Sequence, residues 1–259
     1  MGLISFKPLA AVFVALTVVS ALGGIAVYYM HYNTLKAMAF TPTLGDILDD
    51  IDYLEYTVKI GGDEYRVVVD NNPSSRSGTA ELYLNGELQY TIEYEYIENA
   101  LKTLSRVDPN TGEKSPLDVL RWEEAFLTGL VFSQGPEGEI IGVDVFPGIA
   151  PLYAPFYISG SLNIDWEALI TTGTSPGSVR VTINFESVET PLGTKRGISV
   201  LITPQFVGVS QNPWAQGPLV MEIARVDGHV VAQLIRYEAF IPGVGEGGIE
   251  VSLEELRLA

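Results

Sequence analysis

Two glycine-rich strings in the sequence match patterns that position a catalytic or cofactor-binding group. Gly173–Gly177 reads Gly-Thr-Ser-Pro-Gly and fits the G-x-S-x-G string, in which a serine on a sharp strand-to-helix turn attacks a carbonyl with a histidine as base. Here the proline and glycine lead into a predicted strand, and the histidine downstream is His229 in an Asp-Gly-His turn. We therefore interpret the segment as a loop.

The second string, Gly243–Gly248, contains G-x-G-x-x-G. A dinucleotide site needs this turn to open a helix inside a β-α-β unit. The remaining residues, Ile249 to Ala259, have the pattern of a closing strand. A hairpin loop is therefore the better interpretation.

A third segment has the oxygen-rich spacing that begins a calcium loop. Asp108, Asn110 and Gly112 alternate along a tight turn, as calcium ligands do. The twelfth position of the loop is Val119, so the bidentate acid of an EF-hand is missing. A type I turn with a left-handed glycine accounts for the same residues, and a bound calcium ion is the alternative; the sequence indicates no other cofactor.

A cluster of carboxylates follows the N-terminal apolar run and could attract cations or keep this neck soluble. Its members are Asp46, Asp49, Asp50 and Asp52. The two histidines, His31 and His229, are too few for a histidine-based metal centre. Glu123 and Glu124 are adjacent, and neighbours on a helix point to different faces. These residues form no catalytic constellation, and the sequence predicts a protein that is not an enzyme.

The composition limits the partners and the fold class. With 15 basic against 32 acidic residues and a net charge of −17, the chain has too few cations to track phosphates, which argues against nucleic acid. It has no cysteine, so disulfides and thiolate metal sites are excluded. The 26 glycines, 15 prolines and 13 tyrosines favour loop-rich β structure.

Residues 40–259 are predicted to form a mainly β domain, an antiparallel sandwich or barrel with two short helices, because no helix-length pattern separates the later strands. Asn85-Gly86 is a strong hairpin signal. The helices are predicted over Ile97–Arg106 and from Ser115 to about Thr128. The predicted strands are Tyr53–Ile60, Glu64–Asp70, Thr79–Leu84, Glu87–Tyr96, Glu139–Phe146, Phe156–Ile164, Ser178–Val188, Gly197–Val209, Leu219–Val226, His229–Phe240 and Ile249–Leu258.

Residues 1–39 are predicted to form an N-terminal hydrophobic helix. Pro8 to Met30 carries no charge, and a helix of this length reaches roughly 30 Å, the thickness of a hydrocarbon core. Because a signal peptide has an apolar region of only about 7 to 15 residues, we expect the segment to be retained. Ala37-Met38-Ala39 fits the signal-peptidase pattern, so cleavage there is the alternative.

Two groups of residues indicate how this helix is used. Interface aromatics are predicted where it leaves an apolar environment: Tyr28, Tyr29 and Tyr32. Small residues four apart permit close helix packing: Ala11 and Ala15, then Ser20 and Gly24. The apolar environment is either lipid or neighbouring copies of the chain.

The arrangement resembles archaeal type IV pilins and archaellins, through the apolar run Leu9 to Met30 followed by a β-rich remainder. A weaker resemblance to TasA-type fibre proteins comes from Gly23-Gly24, from the aromatics that follow it and from "AFTPTL" at Ala39 to Leu44. The resemblance implies helices bundled in a filament core, with copies of the chain as partners. The sequence thus predicts a non-enzymatic cell-surface filament subunit, or alternatively a single-pass membrane-anchored subunit or binding module with its β domain outside the cell.

Overall fold

The computed structural model describes most of the β-rich part of the chain. The described residues are 32–39, 42–60, 62–97, 100–116, 130–134, 140–145, 149–172, 179–205, 217–238 and 248–259. Among them no helix is both long and apolar enough to cross a membrane. Several predictions fall outside these ranges: the packing residues Ala11, Ala15, Ser20 and Gly24, the aromatics Tyr28 and Tyr29, and the string Gly173–Gly177.

Antiparallel strands make up most of the described elements. The helices are α1 (32–38), α2 (Leu44–Leu48), α3 (Ala150–Ser161) and α4 (Trp166–Thr172). The strands are β1 (Ile51–Ile60), β2 (Asp63–Asn72), β3 (Ser77–Leu84), β4 (Glu87–Ile97), β5 (Ala100–Val107), β6 (Lys114–Pro116), β7 (Leu130–Gln134), β8 (Ile140–Val145), β9 (Val179–Thr190), β10 (Gly193–Pro204), β11 (Leu219–Val226), β12 (His229–Tyr237) and β13 (Ile249–Leu258).

Eleven of the described strands form one open sheet in the order β6-β5-β4-β3-β2-β1-β13-β12-β11-β10-β9. It consists of two meanders joined where β1 pairs with β13, with Val58 opposite Val251. Strands β7 and β8 pair separately. The prediction of a mainly β, antiparallel domain is confirmed. The strand pairing in the described part of the chain thus gives one open sheet of eleven strands and one separate pair.

Tight turns with positive φ connect several of the neighbouring strands. Asn85 and Gly86 have φ of 50° and 88°, and Leu84 pairs with Glu87 across them. This is the type I′ geometry that Asn-Gly favours, because its twist matches that of the flanking strands. The hairpin predicted from Asn85-Gly86 is therefore confirmed.

The core is one cluster of buried side chains from the strands and the helices. On β4 the side chains of Ile92, Tyr94 and Tyr96 are buried while Glu95 is exposed, as the predicted alternation requires. Each helix contributes buried apolar side chains to the same cluster: Leu35 and Met38 from α1, Ile47 and Leu48 from α2, Leu152, Phe156 and Ile158 from α3, and Trp166 and Leu169 from α4. All four described helices thus pack into the same core as the strands.

Two predicted elements have the wrong type. Phe156–Ile164 is predicted as a strand but lies mostly in helix α3, which begins next to Pro151, a residue suited to a first helical turn. This helix is apolar on nearly all sides, so its sequence has no clear period to distinguish it from a buried strand. Ile97–Arg106 is predicted as a helix, but Ile97 ends β4 and Ala100–Arg106 lies in β5, which pairs with β4. Tertiary pairing there overrides local helix propensity.

Two further differences concern helix starts. Ser115, predicted as the N-cap of a helix, lies within β6, and most of that predicted helix falls outside the described residues. Helix α4 was not predicted. Its signal is Asp165, whose Oδ1 accepts a hydrogen bond of 2.8 Å from the backbone N–H of Ala168, as an N-cap does.

Candidate ligand-binding pocket

The described part of the chain contains a pocket of about 360 Å³ at one end of the sheet, beside the β11–β12 turn. Helices α1, α2 and α3, the start of β1, the end of β13 and the turn itself form its walls. The floor is apolar and mostly buried: Ala37, Ile47, Ile51, Leu152, Phe156 and Val230. The rim carries four ionisable side chains, Asp46, Asp50, Arg225 and His229.

Helix α2 places one acidic side chain on the rim and one apolar side chain in the floor. Thr43 and Asp46 form a capping box, with hydrogen bonds of 2.9 Å from Thr43 N–H to Asp46 Oδ2 and 3.1 Å from Asp46 N–H to Thr43 Oγ1. The backbone hydrogen bond from Thr43 lowers the pKa of Asp46 below its usual value. Asp46 therefore stays ionised, and Ile47, the next residue, lines the floor.

The connection from α2 to β1 is fixed by a buried amide. Asn71 Nδ2 donates hydrogen bonds to the carbonyls of Leu48, at 2.6 Å, and Ile51, at 2.8 Å. Its Oδ1 accepts a hydrogen bond of 2.9 Å from Tyr94 Oη. Because these bonds bracket Asp50, they hold this rim residue at the mouth of the pocket.

The aspartates predicted as a possible cation cluster are separated in the structure. Asp46 and Asp50 lie on the pocket rim, and Asp52 is exposed. Asp49 accepts hydrogen bonds from Tyr96 Oη at 3.0 Å and from Arg76 at 2.8 Å. Within the described residues, no three histidine or acidic side chains are grouped closely enough to hold a metal ion.

The other predicted calcium segment forms the turn between β5 and β6. Asp108 Oδ1 accepts hydrogen bonds from the backbone N–H groups of Asn110, at 2.8 Å, and Thr111, at 2.9 Å. These bonds lower the pKa of Asp108. Gly112 has a φ of 69°, which suits glycine. The protein's own hydrogen bonds thus account for all three residues.

The β11–β12 turn supplies the basic side of the pocket rim. Arg225 Nε donates a hydrogen bond of 3.2 Å to the carbonyl of Gly228. His229 Nε2 lies 3.5 Å from Asp50 Oδ2. The sequence analysis names His229 and Asp50 separately and does not predict a role for Arg225. The string Arg-Val-Asp-Gly-His could have indicated one, because a two-residue turn brings its first and last residues to the same end of a hairpin.

The described lining of the pocket holds no hydroxyl or thiol nucleophile. The described residues that line it include no serine or threonine, and the chain has no cysteine. A histidine–aspartate pair without a nucleophile beside it lacks the group on which a triad acts.

Of the predicted interface aromatics, Tyr32 is described and is half-buried in α1.

Comparisons with known proteins do not identify a family. No protein-family model matches the chain, and neither does any curated protein. One solved structure that it resembles is that of a protein from Bacteroides fragilis NCTC 9343, described as exported and having a YmcC-like fold. The two chains are 10% identical, with 84% of this chain and 98% of that chain covered, at a TM-score of 0.21. Similarity at this level carries no functional argument.

Proposed function

We propose that this protein is a non-enzymatic binding module, exported and held at the membrane by its N-terminal apolar segment. The pocket beside the β11–β12 turn is the observation that carries the proposal. Its volume of about 360 Å³ lies within the range of roughly 300–1,000 Å³ that is usual for small-molecule sites. In this proposal the β domain stands outside the cell and takes up a ligand with an apolar part.

The lining supports binding through the hydrophobic effect. The pocket is formed by side chains such as Ile47, Phe156 and Val230, which are buried in the core cluster and offer no hydrogen-bonding group. An apolar ligand part that leaves water for such a surface gains about 25 cal/mol for each Å² buried. Polar groups on the rim then restrict how the ligand enters.

The membrane attachment rests on the apolar run Pro8–Met30 and its predicted retention. Helix α1 follows this run and belongs to the core, where Leu35 and Met38 are buried. An anchor in the run would therefore be joined to the β domain through a packed helix rather than through a free linker. This arrangement would keep the pocket close to the membrane, because Ala37 of the same helix lines it.

A cavity-filling variant tests the proposal. The full chain, in lipid nanodiscs, is titrated with 1-octanol carrying a terminal trifluoromethyl group, and binding is followed by fluorine NMR against empty nanodiscs. Ala37→Leu adds bulk in the pocket, whereas Ala39→Leu makes the same change at an exposed residue that does not line it.

We expect saturable binding to the wild type and to Ala39→Leu, and at least tenfold weaker binding to Ala37→Leu. The absence of saturable binding to the wild type, or equal binding to both variants, contradicts the proposal. Thermal unfolding of each variant establishes that a loss of binding is not a loss of folding.

A filament subunit is the second candidate function. It is favoured by the small residues Ala11, Ala15, Ser20 and Gly24, whose spacing suits close packing between copies of the first helix. Negative-stain microscopy of the native protein without detergent distinguishes the two. Regular filaments support the subunit, and discrete particles that remain soluble only in detergent support the anchored binding module.

A further inference from the structure

We propose that the pocket selects an amphiphile with one apolar chain and an anionic head, a carboxylate or a phosphate, which Arg225 binds. This inference rests on the proposed binding function and names the chemical class of its ligand. The head would lie at the rim beside the β11–β12 turn, and the chain would lie on the floor formed by α2, α3 and β12.

The separation of polar and apolar groups in the pocket argues for an amphiphile. Ile47, Ile51 and Leu152 are buried in the floor, whereas Asp46 and Arg225 are exposed on the rim. A fully polar ligand would meet an apolar floor, and a fully apolar one would make no contact with the charged groups of the rim. A ligand with one end of each kind satisfies both regions.

The two acidic side chains on the rim already have partners. Asp46 Oδ2 accepts the hydrogen bond of 2.9 Å that caps α2, so this carboxylate is used to begin the helix. Asp50 Oδ2 lies 3.5 Å from His229 Nε2. Each rim carboxylate thus already has one contact within the chain.

Arg225 differs from both carboxylates. Its Nε is bound to the neutral carbonyl of Gly228, and its terminal Nη groups have neither a hydrogen-bond acceptor nor a counter-ion among the described residues. A guanidinium offers its N–H groups in a planar fork that fits the paired oxygens of a carboxylate or phosphate. The guanidinium of Arg225 thus has unused donor capacity at the rim.

The turn holds this guanidinium in place. Asp227 and Gly228 have φ of 47° and 102°, and Val226 pairs with His229 across them. The hydrogen bond from Nε to the turn carbonyl restricts rotation of the arginine head. A donor fixed before binding loses less conformational entropy when the ligand arrives.

The net charge of the protein disfavours the binding of anions. With a net charge of −17, the chain repels anions and attracts cations at long range. Salt screens this field beyond about 10 Å at 0.1 M, so measurements at that ionic strength report mainly short-range contacts. A preference for an anion under these conditions has to come from groups in the pocket.

The experiment compares ligands that share an eight-carbon chain and differ in the head. The full chain in nanodiscs is titrated with octanoate, octyl phosphate, 1-octanol and octylammonium in 0.1 M salt, and inorganic phosphate is titrated alone. The variants are Arg225→Gln and, as a matched control, Arg180→Gln, an exposed strand arginine that does not line the pocket.

We expect octanoate and octyl phosphate to bind the wild type about 10- to 100-fold more tightly than octanol, as for hydrogen bonds to a charged group. In Arg225→Gln this ratio should fall to about one, and in Arg180→Gln it should stay as in the wild type. Inorganic phosphate alone should bind at least tenfold more weakly than octyl phosphate. Tighter binding of only one of the two anionic ligands identifies the head as carboxylate or phosphate.

Each contrary outcome has a distinct meaning. If octanol binds saturably and octanoate binds no more tightly, or octylammonium binds best, the anionic head is wrong and the binding function stands. If none of the ligands binds saturably, the binding function itself is wrong. An anion preference that survives Arg225→Gln shows that Arg225 does not bind the head. Equal binding of inorganic phosphate and octyl phosphate shows that the apolar floor does not bind the chain. Either result overturns the proposal.

Discussion

The hydroxyl of Tyr94 donates a hydrogen bond of 2.9 Å to the side-chain oxygen of Asn71 in the core. The amide nitrogen of Asn71 in turn binds the carbonyls of Leu48 and Ile51. One buried polar side chain on β2 thereby connects β4 with the segment between α2 and β1. That segment carries Asp50 to the pocket rim, so the core network also positions the proposed binding site.

We predict that Asn71→Leu lowers the free energy of unfolding by about 3 kcal/mol, because it removes the three hydrogen bonds that Asn71 makes in the core. Urea denaturation measures the change. Asn184→Leu, at an exposed position on β9, is the matched control and should change stability by about 0.5 kcal/mol or less. Equal effects of the two substitutions would show that the buried network contributes little.

Gly78 is predicted to tolerate no side chain. A Cβ atom there would overlap Tyr94 Oη and the carbonyl oxygen of Asp70. We expect Gly78→Ala to cost about 2 kcal/mol through overpacking. Gly160→Ala, where a Cβ atom meets nothing within 4 Å, should instead stabilise α3 by about 0.5–1 kcal/mol. Thermal unfolding compares them, and a neutral Gly78→Ala contradicts the close approach.

The tyrosines of β4 predict a loss of stability in alkali. Burial is the main cause that raises the pKa of Tyr96 from 10.0 to about 12, and burial raises the pKa of Tyr94 further. Because the folded protein holds these protons more tightly, stability is intact below pH 10 and falls as the pH rises towards 12. Tyr96→Phe should make this decline shallower in urea denaturation between pH 9 and 12, and an unchanged slope refutes the assignment to Tyr96.

Helix α1 is predicted to be part of the folded domain. Leu35 is 6% exposed, and we expect Leu35→Ala to cost about 2–4 kcal/mol. Lys36→Ala, at the neighbouring exposed position, should cost about 0.5 kcal/mol or less. Cleavage after Ala39 would remove Leu35 and Met38 together, so intact-mass measurement should find a mature chain that keeps this helix. A stable native chain beginning after Ala39 would contradict this prediction.

The features that could be predicted from the sequence are those fixed by local chemistry. Asn85-Gly86 forms the expected turn because few other residues adopt positive φ at both positions. The predicted strands Leu219–Val226 and Ile249–Leu258 have the observed bounds, since their alternation reflects one buried face. Where this periodicity is missing, as in α3, or where pairing decides the structure, as in β5, the predicted element type is wrong.

The pocket could not be predicted in the same way because it combines residues that are far apart in the chain. Asp50 and His229 face each other only because β1 pairs with β13 and β13 with β12. The sequence analysis names Asp50 as a member of a carboxylate cluster and His229 as one of two histidines. Their shared role depends on strand order, which one sequence does not determine.

The pairing of β1 with β13 also has a consequence for how the protein is made. Each meander can form from contacts between neighbours in the chain, which close quickly, whereas the central seam joins residues about two hundred positions apart. During synthesis β1 keeps an uncovered edge until the last strand has emerged, and such an edge is open to pairing with other chains. A premature stop before Ile249 would thus leave two half-sheets prone to aggregate, rather than a shortened but working domain.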